Sequence, residues 1–275
     1  MRPSKSESKT KMKIAVVQLS AIGISSDSLR AYMRSCVNEG VSVVLVGEYV
    51  LNRFFKELHK MPLEMIKKQS DHHITALKDM AKEFDLEIIA PLIIVKSKKI
   101  YKSILRITPT RTHTYQQQIL INYKHWNEEH FFDNEIQALK EPLTFKIGKF
   151  RIGILAGFET HFDPLWEFLD EKSVDVVLIP TLSTFSSHKR WRQLFSMRAF
   201  THSCYIIRAN RVGEYEEHDV KWEFYGDSLA YDPSGELVQH LGNYEEVLIV
   251  EIDKEVLKEA KTWGFRDAIK KRKKT

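Results

Sequence analysis

Val43-Val44-Leu45-Val46-Gly47-Glu48-Tyr49 is the stretch that decides the fold. Four apolar residues, three of them valine and closed by a glycine, predict a strand buried on both faces, as in a parallel sheet covered by helices. A carboxylate directly after such a strand emerges at its C-terminal end, where open α/β sheets bind ligands. Glu48 is therefore the first candidate for function.

Strands and helices alternate on both sides of this run. Met12–Leu19 predicts a strand and Ser25–Asn38 a helix with Ser26 or Asp27 as N-cap. Pro62–Phe84 has helical spacing, with Leu63, Ile66, Leu77 and Met80 as its apolar positions, and Leu86–Val95 returns to strand. Tyr101–Thr108 and Thr112–Leu120 read as a hairpin about Pro109-Thr110, and Phe145–Ala156 as another about Gly148-Lys149. Pro164–Lys172 and Trp191–His202 predict helices; Val174–Pro180 and Cys204–Asn210 predict strands. Phe224–Tyr231 and Glu236–Leu241 flank the turn Asp232-Pro233-Ser234-Gly235, and Val247–Ile252 is a last strand before a helix from Lys254. No linker, internal repeat or low-complexity tract interrupts the pattern. The expectation is one α/β domain with helices outside the sheets.

Composition narrows the function classes. With 275 residues, 43% of them hydrophobic, the chain can bury a large core. Its two cysteines, Cys36 and Cys204, form no CxxC pair, which argues against a disulfide scaffold or zinc ribbon and suits a reducing cytoplasm. Met1–Lys13 has no apolar core of a secretory signal, and no apolar run approaches the ~20 residues of a membrane span. The net charge of +5 sits at the ends, +4 over residues 1–13 and +5 over 266–275, so the body between them is acidic. We read 1–11 as a flexible basic extension, 12–265 as the folded domain and 266–275 as a basic tail. Without interleaved aromatics or a binding module, the basic ends do not make a nucleic-acid site.

Further patterns follow Val46-Gly47-Glu48-Tyr49 in order: Tyr115-Gln116-Gln117-Gln118-Ile119-Leu120, then Glu128-Glu129 and Phe131-Phe132. Next come Ile152-Gly153-Ile154-Leu155-Ala156-Gly157-Phe158-Glu159, and Trp191 to Arg198-Ala199 leading to Asn210 and Gly213. Phe224-Tyr225-Gly226-Asp227-Ser228, Pro233-Ser234-Gly235 and Val250–Asp253 close the set. Together these resemble the carbon–nitrogen hydrolase, or nitrilase, superfamily from about Met12 to Arg266. The resemblance implies an αββα sandwich, and a homodimer or higher homo-oligomer packed helix to helix. It implies no cofactor and no metal.

The resemblance also implies a Glu–Lys–Cys site, in which the cysteine attacks a nitrile or amide carbon, the glutamate is general base and the lysine steadies the tetrahedral anion. Glu48 matches the glutamate. Tyr115 and Leu120 frame the lysine position, which holds Gln117. Phe158 and Glu159 follow the cysteine position, which holds Gly157. Glycine offers no nucleophile and glutamine no positive charge, and losing a covalent nucleophile removes several powers of ten in rate. The Arg-Phe-Pro-Glu usual beyond the cysteine reads His161-Phe162-Asp163-Pro164. Glu128 or Glu129 matches a second glutamate that orients the first.

Other residues bear groups capable of chemistry. Using Lys124 as the lysine breaks the match at Tyr115 and Leu120. Cys204, within an apolar strand, is the best substitute nucleophile, yet like Cys36 it reads as inert core; Ser183 and Ser228 lack a spaced histidine. His125 and His130 read as a loop at the pocket mouth rather than metal ligands, and His72-His73 as a solvated pair. Trp166, Trp191 and Trp222 read as core or interface aromatics. Arg198 is expected to pair with an acid, Glu159 being the candidate. Without a lysine, Glu48 should titrate high, with Gln117 placed as its hydrogen-bond donor. The expectation is a pseudoenzyme that binds a small amide or amine, or a protein partner; the alternative is an active amidase using a nucleophile such as Cys204.

Overall fold

The computed structural model describes residues 10–217 and 220–272. The chain begins β1 (Lys11–Gln18), α1 (Asp27–Asn38), β2 (Val43–Val46), α2 (Phe55–Leu58), α3 (Leu63–Phe84), β3 (Glu87–Lys96), β4 (Lys99–Ile107) and β5 (Thr112–Gln116). Two short strands, β6 (Asn122–Tyr123) and β7 (Trp126–Asn127), lead into β8 (Thr144–Ile147), β9 (Phe150–Ile154), α4 (Asp163–Glu171), β10 (Val176–Pro180), α5 (His188–His202) and β11 (Tyr205–Ala209). Then come β12 (Val212–Glu217), β13 (Val220–Tyr225), β14 (Leu229–Tyr231), β15 (Leu237–His240), β16 (Glu246–Asp253), α6 (Lys254–Lys261) and α7 (Phe265–Arg272).

The strands build two six-stranded mixed sheets, in the orders β16-β1-β2-β3-β4-β5 and β15-β14-β11-β10-β9-β8. Strand alternation sorts the apolar residues into three layers. Ile14, Val16, Val43 and Leu45 of the first sheet face Ile152, Ile154, Val176 and Leu178 of the second. Ala15, Val17, Val44 and Val46 face outward onto Leu29 and Met33 of α1 and Leu77 and Met80 of α3. Val177, Ile179 and Ile206 do the same for Leu165, Leu169 and Phe195 of α4 and α5. Each fully buried Leu, Ile or Val stabilises by roughly 1.5–3 kcal/mol, so a strand apolar on both faces is held by both layers. This is the expected single-domain αββα sandwich.

Three segments differ from the expectation. Phe224–Tyr231 is not one strand: Gly226 (φ +71°) and Asp227 (φ +64°) break it. Its first part pairs with β12 as an antiparallel hairpin and its second part joins the second sheet. Phe265–Arg272, which includes the start of the basic tail, is helix α7, and the Arg266 side chain, 8% exposed, lies 3.1 Å from Asp170. His73 is buried rather than solvated, because Ile66, Ser70, His73, Leu77 and Met80 share one face of α3. The expected N-terminal extension lies, through residue 9, outside the described residues.

Candidate active site

Glu48 follows β2 and faces across to the second sheet: its amide donates to Thr181 O (3.2 Å), just beyond β10. Its buried carboxylate meets a cation. Lys102 Nζ stands 3.3 Å from Glu48 Oε1 and 2.8 Å from Glu128 Oε1, and all three residues are buried. Tyr49 completes the cluster by donating its hydroxyl to Glu128 Oε1 at 2.6 Å. To do so it adopts φ +56°, and Arg211 Nη1 caps its carbonyl at 2.8 Å. A non-glycine residue in that region costs on the order of 1–3 kcal/mol, which the surrounding contacts must offset.

The electrostatics follow from burial. Desolvation, and then the neighbouring Glu128 charge, push Glu48 up to about 7 against the lowering pull of Lys102. Desolvation would lower Lys102, but Glu128 and Glu48 together raise it, so the ammonium stays protonated. Burial raises the Tyr49 phenol well above its ordinary value, with the two carboxylates adding to the shift.

The expected donor to Glu48, Gln117, does not serve it. Its amide nitrogen donates to Ile119 O at 2.8 Å, while the cation comes from the strand beside it: Gln117 N donates to Lys102 O at 3.1 Å. Sequence reasoning missed Lys102. The available signal was alternation in β4, which sets Lys102 on the same face as buried Ile100 and Ile104.

Gly157 lies beyond β9, opening the 3-10 turn Phe158–His161. A Cβ built there would sit 2.7 Å from Thr181 Cγ2 and 3.3 Å from Pro180 O. Thr181 is itself pinned, donating its hydroxyl to Asn210 Oδ1 (2.9 Å) and accepting from Arg208 Nε (3.0 Å). Glu159 is buried within this turn and bonds none of the Glu48 cluster. Tyr115 OH (2.9 Å), Gln118 N (2.7 Å) and Ala156 N (2.9 Å) donate to its carboxylate.

Of the two adjacent acids, Glu128 joins the cluster; Glu129 instead accepts from Asn122 Nδ2 at 2.6 Å in a solvated setting. Arg198 pairs with Asp163 at 2.5 Å, not with Glu159, because α5 carries it over α4. Cys204 is buried with its thiol pushed up to about 12, chiefly by desolvation, and Cys36 up to about 11 for the same reason. Ser183 accepts from Arg208 Nη2 at 2.6 Å, and Ser228 Oγ donates to Asn210 O at 3.2 Å, so neither is poised by a histidine.

Beside the cluster opens a cleft of about 460 Å³ whose lining includes Trp126, Phe158, Leu182 and Trp191. Glu48, Lys102, Gln117 and Gly157 do not line it. His125 does, as expected of a mouth residue, whereas His130 does not. Trp166 is core and Trp222 packs in the aromatic cluster around Phe54. Chemically, the cluster is a fixed set of two carboxylates and one ammonium with no nucleophile among them.

A family model described as carbon-nitrogen hydrolase matches residues 13–262. The chain is 21% identical to an N-carbamoylputrescine amidase of Oryza sativa subsp. japonica, over 94% of this chain and 92% of that protein. It is 23% identical to an omega-amidase of Saccharomyces cerevisiae, over 94% and 91%. In three dimensions it is similar to a carbon-nitrogen hydrolase from Helicobacter pylori G27, with a TM-score of 0.81, 16% identity and 94% of each chain covered.

Proposed function

We propose that this chain, which belongs to the carbon–nitrogen hydrolase family, keeps the fold of those enzymes without their turnover and acts by binding a small molecule in the cleft beside Glu48. One observation carries this reading: Thr181 stands 2.7 Å from where any side chain at position 157 would begin. A nucleophile there would need the pinned Thr181 side chain to shift. The Glu48–Lys102–Glu128 cluster supports the same reading, since its ammonium is already neutralised by carboxylates and is not free to steady a developing oxyanion. The cysteines give no substitute, because a buried thiol titrating near 12 holds almost no thiolate at neutral pH.

Gln117 and Gly157 then stand at the lysine and cysteine positions of an enzyme-derived site, and Glu48 acts as a buried anchor of the cleft wall. Among the described residues no helix is long and apolar enough to cross a membrane. We take the protein to work in the cytoplasm as a homo-oligomer. The deciding experiment is ammonia release by the purified protein from a panel of amides and nitriles. Release at the background rate is expected, also for the Gly157→Cys, Gln117→Lys double variant. Turnover that is abolished by Cys204→Ser would establish the amidase reading instead.

A further inference from the structure

The cleft has a chemistry of its own. Six of the rings that line it form an unbroken series of contacts: Trp191 to His161 (4.9 Å between centroids), His161 to Phe158 (5.6 Å), Phe158 to Tyr123 (5.8 Å), Tyr123 to His125 (5.9 Å) and His125 to Phe185 (5.9 Å). Two of these rings are unusually open for their size, Tyr123 at 49% and Phe185 at 51% exposed. Phe185 is presented from a left-handed backbone position, φ +57°, a conformation that disfavours a bulky residue. Exposed rings held in this way around a concavity mark a binding surface more than a solvent-facing loop.

Charge selects among aromatic ligands. Among the described residues Arg190 is the one charged residue in the cleft lining, no carboxylate lines it, and Arg190 makes no ion pair with an acid. Ring faces alone would also accept a quaternary ammonium. A guanidinium at the same cleft disfavours that cation and matches a carboxylate, which it can bind through two parallel hydrogen bonds. The volume of about 460 Å³ lies in the range of small-molecule sites.

The geometry points to a planar aromatic carboxylate as the ligand of this cleft, its ring stacked within the arc of side chains and its carboxylate paired with Arg190. This rests on the reading of the chain as a binding protein. It departs from an amine ligand, because nothing among the described lining residues is anionic, and from a neutral amide, because Arg190 offers a charge that only an anion uses in full.

Calorimetric titration of the full-length protein with 2-naphthoate, 2-naphthamide, cyclohexanecarboxylate and benzyltrimethylammonium tests it. 2-Naphthoate is expected to bind about tenfold more tightly than 2-naphthamide, the advantage of one charge-assisted contact. Arg190→Ala should erase that advantage and Arg190→Lys keep part of it; Trp191→Ala should weaken both naphthyl ligands. Arg190 is exposed, so the variant tests recognition rather than folding. Tighter binding of the ammonium probe, cyclohexanecarboxylate equal to naphthoate, or naphthoate affinity indifferent to Arg190→Ala would each overturn the assignment. No binding by any probe, with ammonia release still at background, overturns this inference alone. Ammonia release from 2-naphthamide would overturn the non-hydrolytic reading and leave ring selection standing.

Discussion

The two sheets follow one plan. From β16 to β5 the neighbouring strands run antiparallel, parallel, parallel, antiparallel, antiparallel, and from β8 to β15 the same sequence of directions recurs. The crossovers match as well, with α1 and α3 between the parallel strands of the first sheet and α4 and α5 between those of the second. The side chains at the strand ends do not match. The first half places Glu48 just beyond β2 and supplies Lys102 from β4, and Glu128 from the connecting loop completes a buried ionic cluster. The second half places Gly157 beyond β9 and Thr181 just beyond β10, tied to Asn210 and Arg208. A shared backbone plan thus carries two carboxylates around one ammonium in one half and a filled end, hydrogen-bonded through Thr181, Asn210 and Arg208, in the other.

Removing the cation of each half should separate them. Lys102→Met leaves Glu48 and Glu128 buried together without a counter-charge, and is expected to destabilise by about 3–5 kcal/mol. One carboxyl must then take a proton, so this variant should regain stability on acidification from neutral pH toward the ordinary carboxylate range. Arg208→Met also removes buried hydrogen bonds, but Asp227 keeps Arg192 at 2.5 Å, so no such acid rescue is expected. Urea melts at several pH values read both outcomes. Acid rescue of Arg208→Met, or its absence in Lys102→Met, would break the contrast.

The next largest effect lies in the second half. Gly157→Cys should cost about 1–3 kcal/mol, the usual range for forcing atoms into a packed site. Thr181→Ser in the same chain removes the methyl 2.7 Å from the new Cβ and keeps the hydroxyl, so it should recover part of the loss. A Gly157→Cys protein as stable as the parent would mean that the space is not filled.

These effects also mark how far the sequence could be read. The apolar run before Glu48 and the helical stripes made the sandwich legible, because burial on two faces leaves a periodic trace. The pseudo-repeat was invisible, since it is a repeat of strand directions and not of residues. Glu48 was legible as a strand-end acid, but its partner was not: Lys102 is 54 positions away and joins it only through the β3–β4 pairing. Lys102 also occupies an inward position that its type argues against, so propensity hid it. Thr181 was hidden for a related reason, as contact between two strand ends carries no local pattern.

The smallest effects concern pH, where two buried groups of the first half oppose each other. Glu48, raised to about 7 chiefly by desolvation, binds its proton more readily folded than unfolded, so between about 4.5 and 7 its contribution falls as pH rises. His73, lowered to about 4 by burial and then by the His72 charge, resists protonation when folded. Its contribution is full above about 6.5 and is lost as pH falls toward 4. Across pH 4.5 to 6.5 the two slopes have opposite signs, and the parent protein should show a shallow dependence. Glu48→Gln keeps a neutral Lys102–Glu128 pair and removes one slope, so this variant should lose stability steadily on acidification. His73→Leu removes the other, so stability should rise over the same interval. Thermal melts of the three proteins decide it: parallel curves would show that neither group carries a shifted proton, and a steep parent curve would show which one dominates.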